Sequence, residues 1–203
     1  MTGPVDTGPP GTGPLDTEPL GTGPAGTGPV RPVPPGTGPV ETGPAPAALK
    51  LEVRHYDDPL VQDLVAQVQA EYMERYGGQD RAVVDPAEFA APHGLFLVGW
   101  LDGAAVACGG WRVHDEPVGG VSAVEIKRMY VAASARRRGL ARLLLAELER
   151  TAAAAGHGYV VLNTGEGQPE AIGLYRACGY RDIPPFGYYR DARGARFFGR
   201  PLV

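Results

Sequence analysis

The sequence has few cysteines and no long apolar run, and these two shortages exclude several classes of protein. Its 203 residues include only two cysteines, Cys108 and Cys178, which cannot form a disulfide framework or supply four ligands to a zinc ion. No apolar stretch approaches the roughly 18 residues that a membrane helix needs, and the first residues lack the basic and then apolar pattern of a secretion signal. We therefore expect a cytoplasmic protein with neither a membrane partner nor a metal.

Aromatic residues are absent from residues 1–48, although the whole chain has nine tyrosines, five phenylalanines and two tryptophans. This segment holds 11 Gly, 13 Pro and 8 Thr, arranged largely as Thr-Gly-Pro at intervals of five residues or multiples of five. Collagen is excluded because its triple helix needs glycine at every third position. A segment so poor in apolar side chains cannot offset the entropy lost on folding, so we predict a disordered tail over 1–48. The repeat could be a spacer, a ligand for a proline-recognition module or an unselected expansion.

An excess of either charge is also lacking in the remaining part of the chain. Residues 49–203 contain 18 basic and 19 acidic residues, although the full chain has a formal net charge of −4. Such a balance gives no support for a nucleic-acid partner or an anionic membrane partner. Residues 49–203 are enough for one domain with a proper core, and hardly for two. The sequence leaves open whether that domain forms a homodimer.

Hydrophobic periodicity over 49–203 predicts a mixed sheet with helices on both faces. Capping residues and prolines mark the starts of the helices, and glycines mark their ends. A stripe of Leu140, Leu143, Leu144 and Leu148 indicates the buried face of the third helix. The predicted strands lie at 49–53, 95–101, 104–113, 121–131, 159–162, 180–183 and 196–202. The predicted helices begin at Pro59, at Asp85-Pro86, near Leu140 and at Pro169.

Three consecutive arginines precede the leucine stripe and have the wrong sign for a helix N-terminus. That end of a helix carries a partial positive charge and free N–H groups, both of which favour a bound anion. Gly139 and Ala141 would let a phosphate approach the backbone closely. We therefore predict a pyrophosphate-binding turn; the alternatives are a nucleic-acid or nuclear-localisation patch and a solvated helix start. The predicted turn consists of Arg136, Arg137, Arg138, Gly139, Leu140 and Ala141.

The stretch Arg136-x-x-Gly139-x-Ala141, after a strand ending in Val131, resembles the acetyl-CoA signature of the GNAT acetyltransferases. A second block over 163–180, which includes Leu174-Tyr175-Arg176-Ala177-Cys178-Gly179, resembles the second conserved region of that family. The resemblance covers about residues 49–203 and implies an α/β (α+β) acyl-CoA N-acyltransferase fold. In that fold a mostly antiparallel sheet of about six to seven strands is flanked by helices on both faces.

The activity that the resemblance implies is transfer of an acetyl group from acetyl-CoA, as cosubstrate, to a primary amine. The amine would attack directly within a ternary complex, without a metal, and a small-molecule amine is favoured over a protein acceptor. The alternative is an inactive acyl-CoA-binding or regulatory module of the same fold.

Two catalytic residues follow from the resemblance. Glu125 occupies the place of a family glutamate that accepts the amine proton; the alternative is a salt bridge with Lys127 or Arg128. Tyr175 matches the family tyrosine that protonates the thiolate; the alternative is a core aromatic. The two cysteines are expected to pack as small hydrophobic residues.

The resemblance also implies contacts to the cosubstrate outside the arginine turn. Backbone groups of Met129, Tyr130 and Val131 would align the pantetheine arm and the thioester carbonyl. Asn163 would hydrogen-bond the pantetheine amides. The aromatic loop 184–189 is expected to border the acceptor.

Overall fold

The computed structural model describes residues 48–202, so nearly all of the predicted tail of residues 1–48 lies outside the described residues. The described part forms one seven-stranded sheet with the strand order β1-β2-β3-β4-β5-β7-β6. Neighbouring strands are antiparallel except for β4 and β5, which are parallel. The strands are β1 (Lys50–Val53), β2 (Gly94–Leu101), β3 (Ala104–Val113), β4 (Ala123–Val131), β5 (Tyr159–Gly165), β6 (Arg181–Asp182) and β7 (Ala195–Pro201).

Three α-helices connect these strands, and local sequence signals define where they begin and end. They are α1 (Pro59–Tyr76), α2 (Leu140–Ala154) and α3 (Pro169–Ala177). The Asp58 side chain accepts from the Leu60 N–H, and Gly77 ends α1 with a φ of 69° that glycine adopts without strain. The predicted helix at Asp85-Pro86 is only a four-residue 3₁₀ turn, Pro86–Phe89, because the apolar period does not continue beyond it.

The helices cover both faces of the sheet, as predicted. Four buried residues of α1 pack on Phe96, Val98 and Cys108 on one face. On the other face, α2 and α3 pack on Leu97, Ile126 and other strand residues whose side chains point to that face. The α1 residues in the first core are Val61, Leu64, Val65 and Val68.

The predicted leucine stripe of α2 needs one correction. Leu140, Leu144 and Leu148 are buried, but Leu143 is 53% exposed. Leu145 takes its place and is 1% exposed. Positions i+4 and i+5 from Leu140 therefore face the sheet, whereas position i+3 faces solvent. The rotation of α2 about its own axis could not be predicted from the sequence.

The parallel pair of β4 and β5 separates halfway along its length. The strands pair from Ala123 opposite Tyr159 to Ile126 opposite Leu162, and β5 then continues beside β7 alone. A bulge in β4 accompanies the separation: Arg128 has a left-handed φ of 56°, and the β3–β4 register shifts beside it. Cys108 Sγ donates to the Arg128 carbonyl over 3.6 Å, so a buried thiol supports the bulge. The result is an opening in the middle of the sheet.

Candidate active site

A cavity of about 480 Å³ occupies the opening between β4 and β5. Elements from both faces of the sheet line it, α1 from one side and α3 from the other, together with the loops after α1 and before β7. Its walls combine polar and charged side chains with tyrosine rings and other apolar surface. The lining residues used below are Tyr72, Arg75, Tyr76, Asp80, Ile126, Lys127, Arg128, Met129, Asn163, Tyr175, Tyr189 and Arg193.

Tyr175 reaches this cavity from α3. The residue is 7% exposed, and its ring lies 5.6 Å from Tyr180 and 6.1 Å from Phe198 between centroids. Burial raises the pKa of the Tyr175 hydroxyl above its usual value, so the group keeps its proton at neutral pH. Within residues 48–202 no side chain or backbone group bonds this hydroxyl. The sequence offered a core aromatic and a proton donor as alternatives, and the structure shows a buried ring whose residue borders the cavity.

Glu125 lies in β4 and is 6% exposed. Arg112 donates to its Oε2 from Nε at 3.0 Å and from Nη2 at 2.8 Å. Lys127 Nζ lies 3.2 Å from its Oε1. Glu125 is not among the cavity-lining residues. The salt bridge with Lys127 that the sequence allowed is therefore present, and a second partner, Arg112, was missed.

Lys127 bridges the two separated strands. Its Nζ lies 3.5 Å from the Asn163 Oδ1 of β5 and 3.2 Å from Glu125 of its own strand. Both Lys127 and Asn163 line the cavity, as the predicted role of Asn163 requires. A cation is thus fixed where strand pairing stops.

Arg128 forms a second buried ion pair, on the α1 side of the cavity. Its Nη1 lies 2.8 Å from Asp80 Oδ2, and the Arg128 side chain is 4% exposed. The Tyr189 hydroxyl donates to Asp80 Oδ1 over 2.6 Å and accepts from the Arg81 N–H. Sequence analysis missed Asp80 because no local pattern links it to Arg128 or to Tyr189, which is 109 residues away. The predicted aromatic loop does border the cavity, through Tyr189.

The Arg136–Ala141 turn follows β4 at the end where the strands separate. Within the described residues, no backbone or side-chain acceptor bonds the N–H groups of 137–141. Arg137 has a φ of 62°, and the helix N-cap Gly139 has a φ of 77°, so the turn depends on left-handed backbone at two positions. Arg137 and Arg138 are exposed. The turn therefore has free N–H groups and two exposed cations; its predicted binding of a diphosphate stays a prediction.

Arg136 behaves differently from its two neighbours. Its Nε donates to the Val131 carbonyl over 2.9 Å, its Nη2 pairs with Glu71 of α1, and its guanidinium stacks over the Tyr130 ring. The side chain therefore ties the turn to the end of β4 and to α1. Val131 contributes its carbonyl to this contact.

Met129, Tyr130 and Val131 of β4 were predicted to contact pantetheine, and the side chains of Met129 and Tyr130 lie on opposite faces of the sheet. Met129 lines the cavity. The Tyr130 side chain instead packs with the α1 core and donates to Gln67 Oε1 over 3.3 Å. Met129 packs against the opposite core, as expected for neighbours in a strand. The predicted backbone role of these residues stays a prediction.

Neither a metal-binding cluster nor a membrane-spanning helix occurs in residues 48–202. No three histidine, cysteine, aspartate or glutamate side chains of residues 48–202 cluster closely enough to hold a metal ion. None of the helices in the same range combines the length and the apolar character needed to span a membrane.

Comparison with known proteins shows consistent similarity. The family model described as the acetyltransferase (GNAT) family matches residues 62–180. The chain is 36% identical over 151 residues to the IAA acetyltransferase of Azospirillum brasilense, covering 72% of this chain and 95% of that protein.

Solved structures agree with the family match. A candidate acyl-CoA N-acyltransferase from Klebsiella pneumoniae superposes with a TM-score of 0.63 at 26% identity, over 76% of this chain and 98% of the other. A GNAT acetyltransferase from Elizabethkingia anophelis with acetyl-CoA bound superposes with a TM-score of 0.54 at 15% identity, over 76% and 98% of the two chains. The latter likeness is one of fold. The predicted family and fold are confirmed.

Proposed function

Because the chain belongs to the GNAT acetyltransferase family, we propose that it transfers an acetyl group from acetyl-CoA to a primary amine of a small molecule. The observation that carries this proposal is the cavity between β4 and β5. A buried tyrosine borders it, and the turn with free N–H groups follows β4, one of the two strands that line it. The name of the Azospirillum relative supports acetyl transfer, and the acetyl-CoA held by the Elizabethkingia protein supports the choice of donor.

Two parts of acetyl-CoA, the diphosphate and the pantetheine arm, have candidate binding residues in this chain. The free N–H groups of 137–141, with the Arg137 and Arg138 side chains, would hold the diphosphate. The edge of β4 at Met129, which has no β5 partner, and the amide of Asn163 would receive the amide groups of the pantetheine arm. Arg136 supports this arrangement by fixing the turn to β4 and α1.

The proposed reaction uses a neutral amine as the nucleophile. The amine nitrogen forms a bond to the thioester carbon, the C–S bond breaks, and the amine loses one proton. Tyr175 supplies a proton to the leaving sulfur, because its buried hydroxyl is protonated at neutral pH and has no competing partner among residues 48–202. Solvent in the cavity takes the amine proton and restores the tyrosine, so the proton balance closes.

Glu125 as the base stays a prediction that rests on the family resemblance. Its contacts support the ion-pair alternative better. Both carboxylate oxygens already accept from cations, and Glu125 does not line the cavity. We therefore assign the amine proton to water and treat Glu125 as the residue that holds Lys127.

The dimensions of the cavity support a small acceptor. A volume of about 480 Å³ lies within the roughly 300–1,000 Å³ typical of small-molecule sites. Tyr72 and Tyr76 provide aromatic surface, while Asp80 and Tyr189 provide polar atoms on the α1 side. An amine with an apolar or aromatic body suits these walls.

Binding and turnover test the proposal separately. We expect acetyl-CoA to bind the full chain in calorimetry, and Arg137→Gln or Arg138→Gln to weaken binding several-fold, with about tenfold for the pair, because charged hydrogen bonds to phosphate are lost. Arg181→Gln, an exposed arginine of β6, is the control. Thiol release across a panel of small amines measures transfer. Absence of binding would contradict the proposal, and binding without release for any amine would favour the inactive acyl-CoA-binding module.

A further inference from the structure

Lysine is rare in this chain, and one of its two lysines is buried at the opening between β4 and β5. Lys50 and Lys127 are the only lysines among 19 basic residues, and the rest are arginines. Lys50 is exposed on β1, whereas the Lys127 side chain is 8% exposed and lines the cavity. All other ion pairs of residues 48–202 use arginine as the cation. Lys127 is therefore the one ammonium group among the paired cations of residues 48–202.

The contacts of Lys127 fix its ammonium group and leave one donor free. An ammonium has three N–H donors. One donates to Asn163 Oδ1 over 3.5 Å, and Glu125 Oε1 forms an ion pair with Nζ at 3.2 Å. Arg112 donates to the other oxygen of Glu125 and so holds this carboxylate in place. The ammonium group paired with Glu125 is thereby held beside the cavity. Nζ has no other partner among residues 48–202, and Lys127 lines the cavity, so its ammonium can donate to a group there.

The other cations that line the cavity are placed differently. Arg128 pairs with Asp80 of the loop after α1, and Arg75 of α1 pairs with Glu71 of its own helix and with Glu170 of α3. Arg193 is exposed at the rim. Lys127 alone among them lies directly after the last paired residue of β4, next to the edge expected to receive the thioester.

We propose that Lys127 is a catalytic residue that stabilises the negative charge developing on the thioester during acetyl transfer. This inference rests on the proposed function. As the amine nitrogen bonds to the carbonyl carbon, the C=O electron pair moves onto oxygen; as the C–S bond breaks, its pair moves onto sulfur. A preorganised cation that is itself largely buried stabilises both charges more than bulk water does. Glu125 and Asn163 are positioning residues that hold the ammonium.

Replacing the charge tests this role in the full chain. We expect Lys127→Met to lower kcat by about 10²-fold, the loss seen when one oxyanion donor is removed, with less than a threefold change in the Kd for acetyl-CoA. Lys127→Arg should recover part of the rate because it keeps the charge. Lys50→Met is the matched control and should leave kcat unchanged. Equal kcat values for Lys127→Met and wild type would overturn the inference.

A measurement on the CoA complex separates catalysis from structural support. A cation within about 4–6 Å should lower the pKa of the bound CoA thiol by about 1–2, which the ultraviolet absorbance of the thiolate reports during a pH titration. Lys127→Met should abolish this shift and Lys127→Arg should keep it. The inference fails if the thiol pKa is the same in wild type and Lys127→Met.

Loss of Lys127 leaves Glu125 with an uncompensated oxygen, which could destabilise the fold. The double variant Lys127→Met/Glu125→Gln removes both charges of the pair. It should melt close to wild type and still show the low kcat and the unshifted thiol pKa; recovery of kcat in this variant would overturn the inference. Failure of the wild type itself to bind CoA or release thiol would instead contradict the proposed function.

Discussion

The two halves of the β4–β5 pair differ in strand pairing and in the charge of the side chains that they bury. In the closed half, Val124 and Ile126 pair with Val160 and Leu162, and all four are at most 3% exposed. In the open half, pairing stops and β4 presents two successive cations at a bulge. The closed half follows the strand period of two, whereas the open half departs from it. One strand thus combines a core segment with a functional segment.

Burial of charge is confined to this same strand. Among the described residues, the buried charged side chains are Glu125, Lys127 and Arg128. Each of them has an ion-pair partner, which is what buried charges require. Arg128 also carries the left-handed backbone of the bulge, a conformation that is costly for a residue with a β-carbon. Such concentrated cost in one segment is typical of functional sites.

The largest expected effect concerns the stability of the closed half. Leu162→Ala removes a side chain that is 1% exposed and packed in the main core, so unfolding should become easier by about 2–5 kcal/mol. Chemical denaturation measures this difference. Leu143→Ala is the control and should change stability by less than about 0.5 kcal/mol, because Leu143 is largely exposed. Similar losses for both leucines would contradict the assigned orientation of α2.

A comparable effect, on turnover and not on stability, is expected at the cavity. Tyr175→Phe removes the proposed proton donor and should lower kcat by about 10²-fold, while acetyl-CoA still binds. Steady-state kinetics with calorimetry separate the two. Tyr180→Phe is the control, because it removes a neighbouring hydroxyl that donates to Glu149 outside the cavity. It should leave kcat close to that of the wild type. Unchanged kcat in Tyr175→Phe would remove this residue from the mechanism.

The smallest expected effect is a pH dependence at the closed end of the strand pair. Ser122 and His157 precede β4 and β5, and Ser122 Oγ lies 2.8 Å from His157 Nδ1. Burial lowers the pKa of His157 from its usual 6.5. As the pH falls, the unfolded chain therefore protonates His157 before the folded protein does. The folded state loses stability as the pH falls from the unfolded pKa of the histidine through its lower folded pKa.

Thermal melts in this pH range check the sign. The melting temperature of the wild type should fall more steeply on acidification than that of His157→Gln. A steeper fall in the variant would show that the histidine is protonated more readily in the folded state.

The fold was largely predictable because local signals coincide with its elements. Alternating apolar residues predict the strands, and the predicted helix starts at Pro59, near Leu140 and at Pro169 are those of α1, α2 and α3. The turn over 136–141 follows from the same kind of pattern, whereas the selection of Tyr175 rests on the family resemblance. These features depend on neighbours in sequence, so one chain without a structure is enough to find them.

The contacts inside the site were much harder to predict. Asp80 and Tyr189 meet across 109 residues, and Arg112 meets Glu125 through strand register, so no short motif contains either pair. The position of Arg136 in the motif was predicted. Its pairing with Glu71 was not, because that contact depends on where α1 lies.

By itself, the sequence determined the order of the strands and helices, the family resemblance and the arginine turn, since backbone preference and side-chain period act over a few residues. Tertiary structure decided which charges pair, which leucine of α2 is buried and where β4 leaves β5. Those outcomes depend on the relative placement of elements distant in the chain, where long-range packing and the cost of burying charge select one arrangement among many that satisfy the local rules.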